Sequence, residues 1–246
     1  MRQKDFRKIV AMRKTIAILI LLNVLFIGLF IGMIYKRGGI DYIKKRINRK
    51  SEKYGFDNDF YRMRKSIFQI MPIDSNAIYF VGTSITGNCD WSELFSNSHI
   101  KNRGIGGDLI SGVANRIDEI LISRPKKIFL EIGINDLEQQ RTVPEIIGDY
   151  EQLIDSIRTV SPFTELYVES ILPTFNNYYR ANSDIAKINN SLIEIAKANG
   201  VVYIDLNSSL KTSKDELDRQ YSLDGFHLNG KGYLVLKKKL DKYIIN

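Results

Sequence analysis

The chain has 246 residues, a formal net charge of +8, one cysteine and two histidines. Its length allows one ordinary domain with an appendage. Residues 1–53 hold fourteen Lys or Arg against three acids, so the rest of the chain is net negative, at −3. This distribution argues against a basic nucleic-acid groove in the main domain. The lone Cys89 excludes an internal disulfide.

The N-terminal segment predicts a membrane anchor. Thr15–Tyr35 is 21 residues without a charge, which at about 1.5 Å per residue spans a hydrocarbon core of about 30 Å. Basic pairs flank it at Arg13-Lys14 and Lys36-Arg37, as charges at both interfaces would. A cleaved signal peptide is the alternative. Its apolar region would be shorter, and no small-residue cleavage motif precedes Lys36.

The charges on the two sides of this anchor are nearly balanced. Residues 1–14 carry six Lys or Arg and residues 36–50 carry seven, so the positive-inside count does not decide. A short N-terminal tail favours a single-pass topology with the large domain outside the cytoplasm. The expected organisation is a basic tail (1–14), an anchor (15–35), a basic connector with an amphipathic helix (36–72) and a catalytic domain (73–246).

The connector and the region after it have recognisable patterns. Apolar residues recur at helical spacing between Tyr54 and Met71, until Pro72 stops the pattern. We expect this helix to pack on the globular domain. From Ala77 the chain alternates strands and helices. The expected strands are 77–81, one at Ile100, 127–132, 165–170 and 201–205; the helices are 90–95, 108–122, 143–160, 183–199 and 229–244. This alternation predicts a five-stranded parallel sheet with helices on both faces.

A serine follows the first predicted strand. Gly82 permits a sharp turn, and Ser84 then lies past the carboxyl end of Ala77–Val81, at the edge where parallel α/β sheets bind ligands. A serine there can act as a nucleophile if a base and an oxyanion site lie nearby.

His99 and His227 are the candidate bases. His99 enters the short second strand and is expected at the surface or a strand edge. His227 lies three residues after Asp224, in a loop before the final helix, so this carboxylate can orient the imidazole ring. Turn chemistry involving Asp224 and Gly225 explains the same residues without catalysis.

Two further segments follow predicted strands. The glycines of NRGIGGD, residues 102–108, permit close backbone approach to a ligand, although a flexible loop has the same composition. In Gly133-Ile134-Asn135-Asp136, Asn135 can donate a side-chain hydrogen bond, whereas Asp136 can cap the next helix.

Taken together, GTSIT, NRGIGGD, GIND and DGFHLNGKGY resemble, in this order and spacing, the four sequence blocks of the SGNH/GDSL hydrolases. The likeness is to the branch of platelet-activating-factor acetylhydrolase and bacterial acyl-ester or sialate O-acetyl esterases. It runs from about Tyr61 to the C-terminus and leaves out the anchor. It implies a three-layer α/β/α sandwich, the flavodoxin-like SGNH fold.

The resemblance also implies roles. Ser84 matches the nucleophile, Asp224 the acid and His227 the base. The backbone N–H groups of Ser84 and Gly107, with the side chain of Asn135, match the oxyanion hole. No metal and no other cofactor is implied, and the mechanism passes through an acyl-serine.

One residue departs from the family pattern. The first block usually reads Gly-Asp-Ser, and here it reads Gly82-Thr83-Ser84. The replaced aspartate supports the loop rather than performing the chemistry, so activity is expected to survive.

The loop Leu172–Asn182 should overhang the site, and it bears candidate substrate contacts: Phe175, Tyr178 and Tyr179 for a sugar ring or an acyl chain, and Arg180 for an anionic group. These side chains could equally pack the loop down, and Trp91 is expected in the core or a pocket wall.

The sequence thus predicts a membrane-anchored serine esterase for short acyl esters, such as O-acetyl groups on a glycan. Its expected partners are an acylated glycan or lipid and the membrane, and not nucleic acid. The alternatives are a lysophospholipase or thioesterase-type acyl hydrolase, and an anchored glycan- or acyl-binding module without turnover.

Overall fold

The computed structural model describes residues 2–36, 57–177 and 179–244, and the chain divides into two compact units, residues 1–53 and 54–246. The first unit contains helix α1 (Arg2–Lys36). Its window Met12–Leu29 is long and apolar enough to cross a membrane, and none of it is buried. A signal sequence has the same features. Most of the predicted basic connector, 37–56, lies outside the described residues.

The second unit is built on a sheet of five parallel strands in the order β2-β1-β3-β4-β5. The strands are β1 (Ile78–Gly82), β2 (Ile100–Gly104), β3 (Lys127–Glu131), β4 (Glu165–Glu169) and β5 (Val202–Ile204). This order turns round at β1, with β2 on one side and β3 on the other. In doubly wound sheets, ligands bind at such a switch point, beyond the carboxyl ends of the strands.

Helices connect the strands. In chain order they are α2 (Asp59–Gln69), α3 (Ser84–Gly87), α4 (Trp91–Leu94), α5 (Ile110–Ala114), α6 (Ile117–Leu121), α7 (Ile134–Glu138), α8 (Val143–Val160), α9 (Asn182–Ala198) and α10 (Gly230–Ile244). Both faces of the sheet are covered by buried apolar clusters. Successive side chains of a strand point to opposite faces, so β1 contributes to both clusters. Tyr79 and Val81 join one buried apolar cluster, whereas Ile78 and Phe80 join another. The predicted three-layer α/β/α sandwich with a five-stranded parallel sheet is confirmed.

Helix α2 belongs to the globular unit, as expected. Asn58 caps it by accepting a hydrogen bond from the N–H of Tyr61. The Tyr61 side chain is buried, and its hydroxyl donates to the carbonyl of Gly112 at 2.8 Å. The helix packs through Tyr61 rather than through the predicted apolar stripe, because Phe60, Met63, Ile70 and Met71 of that stripe are exposed.

The prediction of one continuous helix over 108–122 is wrong. The structure has two short helices, α5 and α6, separated at Arg116. The guanidinium of Arg116 turns inward and donates to Asp108 Oδ2 from Nε and Nη2, at 3.1 and 2.9 Å. Both side chains are buried, so the ion pair takes precedence over continuing the helical turn.

Candidate active site

Ser84 is the first residue of α3, directly beyond β1. Thr83 caps this short helix, its hydroxyl oxygen accepting from the N–H of Ile85 at 3.3 Å. A Cβ at Gly82 would lie 2.1 Å from the carbonyl oxygen of Glu131 and 2.4 Å from Thr86 Oγ1. Only glycine fits there, so β1 and β3 approach closely where the chain turns toward the serine.

His227 lies opposite Ser84. Its Nε2 is 3.0 Å from Ser84 Oγ, and its Nδ1 is 2.7 Å from Asp224 Oδ2. Because an ionised carboxylate only accepts hydrogen bonds, Nδ1 carries the proton and Nε2 can accept from the serine hydroxyl. The sequence pair Asp224 and His227 is thus brought to Ser84 in the arrangement that activates a serine.

The loop around Asp224 is tightly bonded. Asp224 Oδ1 accepts from the backbone N–H groups of Phe226 and His227, at 2.9 and 2.7 Å. Burial would raise the pKa of Asp224, but the bonds from the His227 ring and from these two N–H groups hold it well below its usual range. The carboxylate therefore stays ionised at any working pH.

The NRGIGGD segment contributes two glycines to the same place. A Cβ at Gly106 would lie 3.7 Å from Ser84 Cβ. Gly107 has a φ of +79°, in the left-handed region that glycine adopts freely. Gly106, Gly107 and Ser84 line one cleft together with Asn135 and His227. The predicted donor positions Ser84, Gly107 and Asn135 therefore line the same cleft.

The amide of Asn135 is fixed in one orientation. Asn135 is in the first turn of α7, after Gly133, whose φ is +104°. Its Nδ2 donates to the carbonyl of Asp108 at 2.9 Å, and its Oδ1 accepts from Arg180 Nη2 at 3.3 Å. One of the two Nδ2 hydrogens is used by Asp108, which leaves the other for a ligand.

The candidate substrate-contacting residues of the loop Leu172–Asn182 lie in different surroundings. Arg180 lines the cleft, with its guanidinium 4.1 Å from the centre of the Phe226 ring and ion-paired with Glu138. Phe175 instead packs on the acid–base loop: its N–H donates to the carbonyl of Gly225 at 2.8 Å. Tyr179 is half-exposed. Tyr178 lies outside the described residues.

The cleft, of about 360 Å³, has several walls that the sequence reasoning missed. These are Glu138, Gln139 and Phe226, which complete the cleft beside Gly106 of the NRGIGGD segment. Phe226 is adjacent to His227 in the sequence, and Glu138 and Gln139 follow the GIND segment. Adjacency to the motifs was the only available signal for these residues.

The other residues considered in the sequence make contacts that do not involve Ser84. His99 is exposed, and its Nδ1 lies 3.2 Å from Asp74 Oδ2. Asp136 is buried inside α7, where it accepts from the N–H of Ile110 and pairs with Arg141. Trp91 is a core residue, as expected, stacked on Phe80 with ring centres 4.5 Å apart. Among the described residues, no cluster of His, Cys, Asp or Glu could hold a metal ion.

Comparison with known proteins agrees with the fold and the motifs. The model of the GDSL-like Lipase/Acylhydrolase family matches residues 75–235. The alpha2 subunit of platelet-activating factor acetylhydrolase IB from Rattus norvegicus is 30% identical over 175 residues, covering 68% of this chain and 76% of that subunit.

Two solved structures show the same architecture. A Streptococcus pneumonia protein named after platelet activating factor is 30% identical, with a TM-score of 0.69 over 74% of this chain and 92% of its own. A catalytic mutant of Axe2, an acetylxylan esterase from Geobacillus stearothermophilus, is 16% identical, with a TM-score of 0.58 over 71% of this chain and 96% of its own. At that identity the second likeness concerns the fold alone.

The chain therefore belongs to the GDSL-like lipase/acylhydrolase family. Within that family it is a serine ester hydrolase.

Proposed function

We propose that this protein is a membrane-anchored esterase that removes short acyl groups, chiefly acetyl, from a glycan, with Ser84 as nucleophile. The proposal rests on two short contacts of the His227 ring. Its Nε2 lies 3.0 Å from Ser84 Oγ, and its Nδ1 lies 2.7 Å from Asp224 Oδ2. A binding module has no need for a base held by a carboxylate against a serine.

The reaction has two stages. Ser84 Oγ attacks the ester carbonyl carbon while His227 Nε2 takes the hydroxyl proton. The negative charge on the carbonyl oxygen is stabilised by the N–H groups of Ser84 and Gly107 and by Asn135 Nδ2. The alcohol leaves with the proton from His227. Water, deprotonated by the same histidine, then attacks the acyl-serine; His227 returns the proton to Ser84 Oγ as the carboxylic acid is released.

The lining of the cleft supports a short acyl group and a polar alcohol. Of the nine described residues that line it, Phe226 is the single large apolar one, and Glu138, Gln139 and Arg180 are polar or charged. A long acyl chain would need a broad apolar wall, because each buried methylene contributes about 0.8 kcal/mol. Acetyl also occurs in the name of a similar protein, the alpha2 subunit of an acetylhydrolase.

The N-terminal helix supports the anchoring. Met12–Leu29 can cross a membrane by length and composition, and the sequence around it lacks a cleavage motif. We propose that the esterase domain lies outside the cytoplasm, where surface glycans occur.

The decisive test is Ser84→Ala in the full chain. Acetate release from an aryl acetate should fall to background, because the residue that forms the acyl-enzyme is gone, and fluorophosphonate labelling should be lost with it. Undiminished turnover by the purified variant would refute the assignment of Ser84. A native protein that neither labels nor turns over would instead be the binding module.

A second measurement identifies the ester. Acetate release from acetylated polysaccharides should exceed fatty-acid release from lysophospholipid at matched concentrations of ester. The reverse ranking would replace the glycan proposal with a lysophospholipase.

A further inference from the structure

The exception in the nucleophile motif has a buried partner on the neighbouring strand. Thr83 is fully buried, and its hydroxyl donates to Glu131 Oε2 at 2.8 Å. Glu131 is the last residue of β3, paired in register with Gly82. The hydroxyl of Thr83 is therefore used twice, as a donor to Glu131 and as the acceptor that caps α3 through the N–H of Ile85.

This arrangement fixes the residue before the nucleophile from two directions. The hydrogen bond to Glu131 ties the turn to the sheet, and the cap ties it to the helix that begins with Ser84. A change in the backbone dihedral angles of Thr83 would move the N–H and Oγ of Ser84 together, because Ser84 follows directly in the chain. Burial raises the pKa of the Glu131 carboxyl to about 7, and the hydrogen bond from Thr83 opposes this rise.

A second carboxyl limits what position 83 can carry. Glu169 ends β4, one residue beyond the register pair Leu130 and Val168, and is therefore the neighbour of Glu131 across the sheet. Both side chains are buried. Within the described residues, Glu169 Oε1 has no hydrogen-bond partner. An aspartate at position 83 would bring a third carboxyl into a place that already holds two.

We propose that Glu131 is a positioning residue for Ser84, supplying from β3 the carboxylate that the usual Gly-Asp-Ser motif carries beside the serine. Thr83 and Glu131 are then a matched pair: position 83 carries a threonine because Glu131 already supplies the acidic side chain. This inference rests on Ser84 being the nucleophile.

The test is a double-mutant cycle on the full chain. Thr83→Asp should lower kcat for an aryl acetate about tenfold to a hundredfold, since small displacements of reacting groups cost that much. Adding Glu131→Gln should restore most of the loss, because a neutral amide can donate to the new carboxylate. If the double variant is no better than Thr83→Asp, the pairing is wrong.

Conservative variants separate positioning from general destabilisation. Thr83→Val keeps the shape but loses both hydrogen bonds, so kcat should fall about tenfold with KM little changed. Thr83→Ser keeps the hydroxyl and should retain activity. If Thr83→Val keeps the wild-type kcat, the positioning proposal is wrong, while the assignment of Ser84 as nucleophile is unaffected.

Thr164→Val is the matched control. Thr164 is also buried, and its hydroxyl donates to the carbonyl of Pro125 at 2.8 Å, but it precedes β4 at the opposite edge of the sheet. This variant should lower the melting temperature without changing kcat per fluorophosphonate-labelled site. An equal fall in kcat for both valine variants would mean that the effect of Thr83 is only structural.

Discussion

At the scale of single residues, the site depends on side chains that hold one another in a single geometry. His227 has a carboxylate on one ring nitrogen and a hydroxyl on the other. Asn135 is held by a carbonyl on its nitrogen and by a guanidinium on its oxygen. Neither the tautomer of the imidazole nor the orientation of the amide is free to change without breaking a contact.

The tautomer gives a prediction for Asp224→Asn. An amide can donate to Nδ1, which moves the imidazole proton to Nε2 and removes the acceptor that Ser84 requires. We expect kcat to fall by about 10³–10⁴ with KM nearly unchanged, measured by acetate release from an aryl acetate.

The chain contains its own control for that change. Asp74 contacts Nδ1 of His99 in the same way, far from Ser84 along the strands. Asp74→Asn should leave kcat unchanged. Equal losses in the two variants would show that removing a carboxylate from a histidine acts through stability, and would contradict the role of Asp224.

At the scale of elements, the strands and long helices were predictable; among the short helices, α4 was predicted within 90–95, whereas α3 and α7 were not. β1 is a continuous apolar run, β3 has three apolar residues between Lys127 and Glu131, and α8 begins at the predicted Val143 with a capping box at Thr142. Helices α3 and α7 have four and five residues, too short for periodicity to indicate.

The candidate site divides in the same way. Ser84, Asn135 and His227 could be named because each stands in a motif beside a strand or a helix. The contact of Arg180 with Asn135 joins residues 45 positions apart in the sequence, and the hydrogen bond from Thr83 to Glu131 joins residues 48 apart. Such pairings depend on the register of the sheet, which local pattern does not contain.

The break between α5 and α6 leads to a prediction for the pair Asp108 and Arg116. Burial raises the pKa of Asp108 to about 6, although Arg116 opposes the rise. Arg116→Met leaves a buried carboxylate without its partner, and we expect a loss of about 3–5 kcal/mol in unfolding free energy. Urea unfolding at pH 7.5 (about one and a half units above that pKa) measures it.

A double variant that removes both charges is the control. Asp108→Leu with Arg116→Met replaces the buried pair by apolar groups, which is often neutral. The double variant should therefore be more stable than Arg116→Met alone. If the two losses simply add, the ion pair is not the cause of the break.

At the scale of the whole molecule, buried acids make stability depend on pH. Burial raises the pKa of Glu169 to about 8, and repulsion from Glu131 adds to the rise. Such a group keeps its proton in the folded state after the unfolded chain has lost it. Its contribution therefore becomes unfavourable as pH rises from about 4.5 toward about 8.

Glu169→Gln removes this penalty. The melting temperature of the variant relative to the native chain should be higher at pH 8 than at pH 5, as measured by thermal unfolding at both values. Glu194→Gln, at an exposed position on α9, is the matched control and should show no such trend. A difference for Glu169→Gln that is independent of pH would contradict the assignment of the buried acid.

The contacts of the segment 174–182 also concern how such a site can be altered. Its Phe175 N–H bonds to Gly225, and a Cβ at Gly225 would lie 3.0 Å from the Phe175 carbonyl oxygen. Its Arg180 lies on Phe226 and bonds to Asn135. Loop exchange between homologous enzymes would therefore have to carry residues 174–182 and 222–227 as one cassette, since either loop alone would arrive without its counterpart.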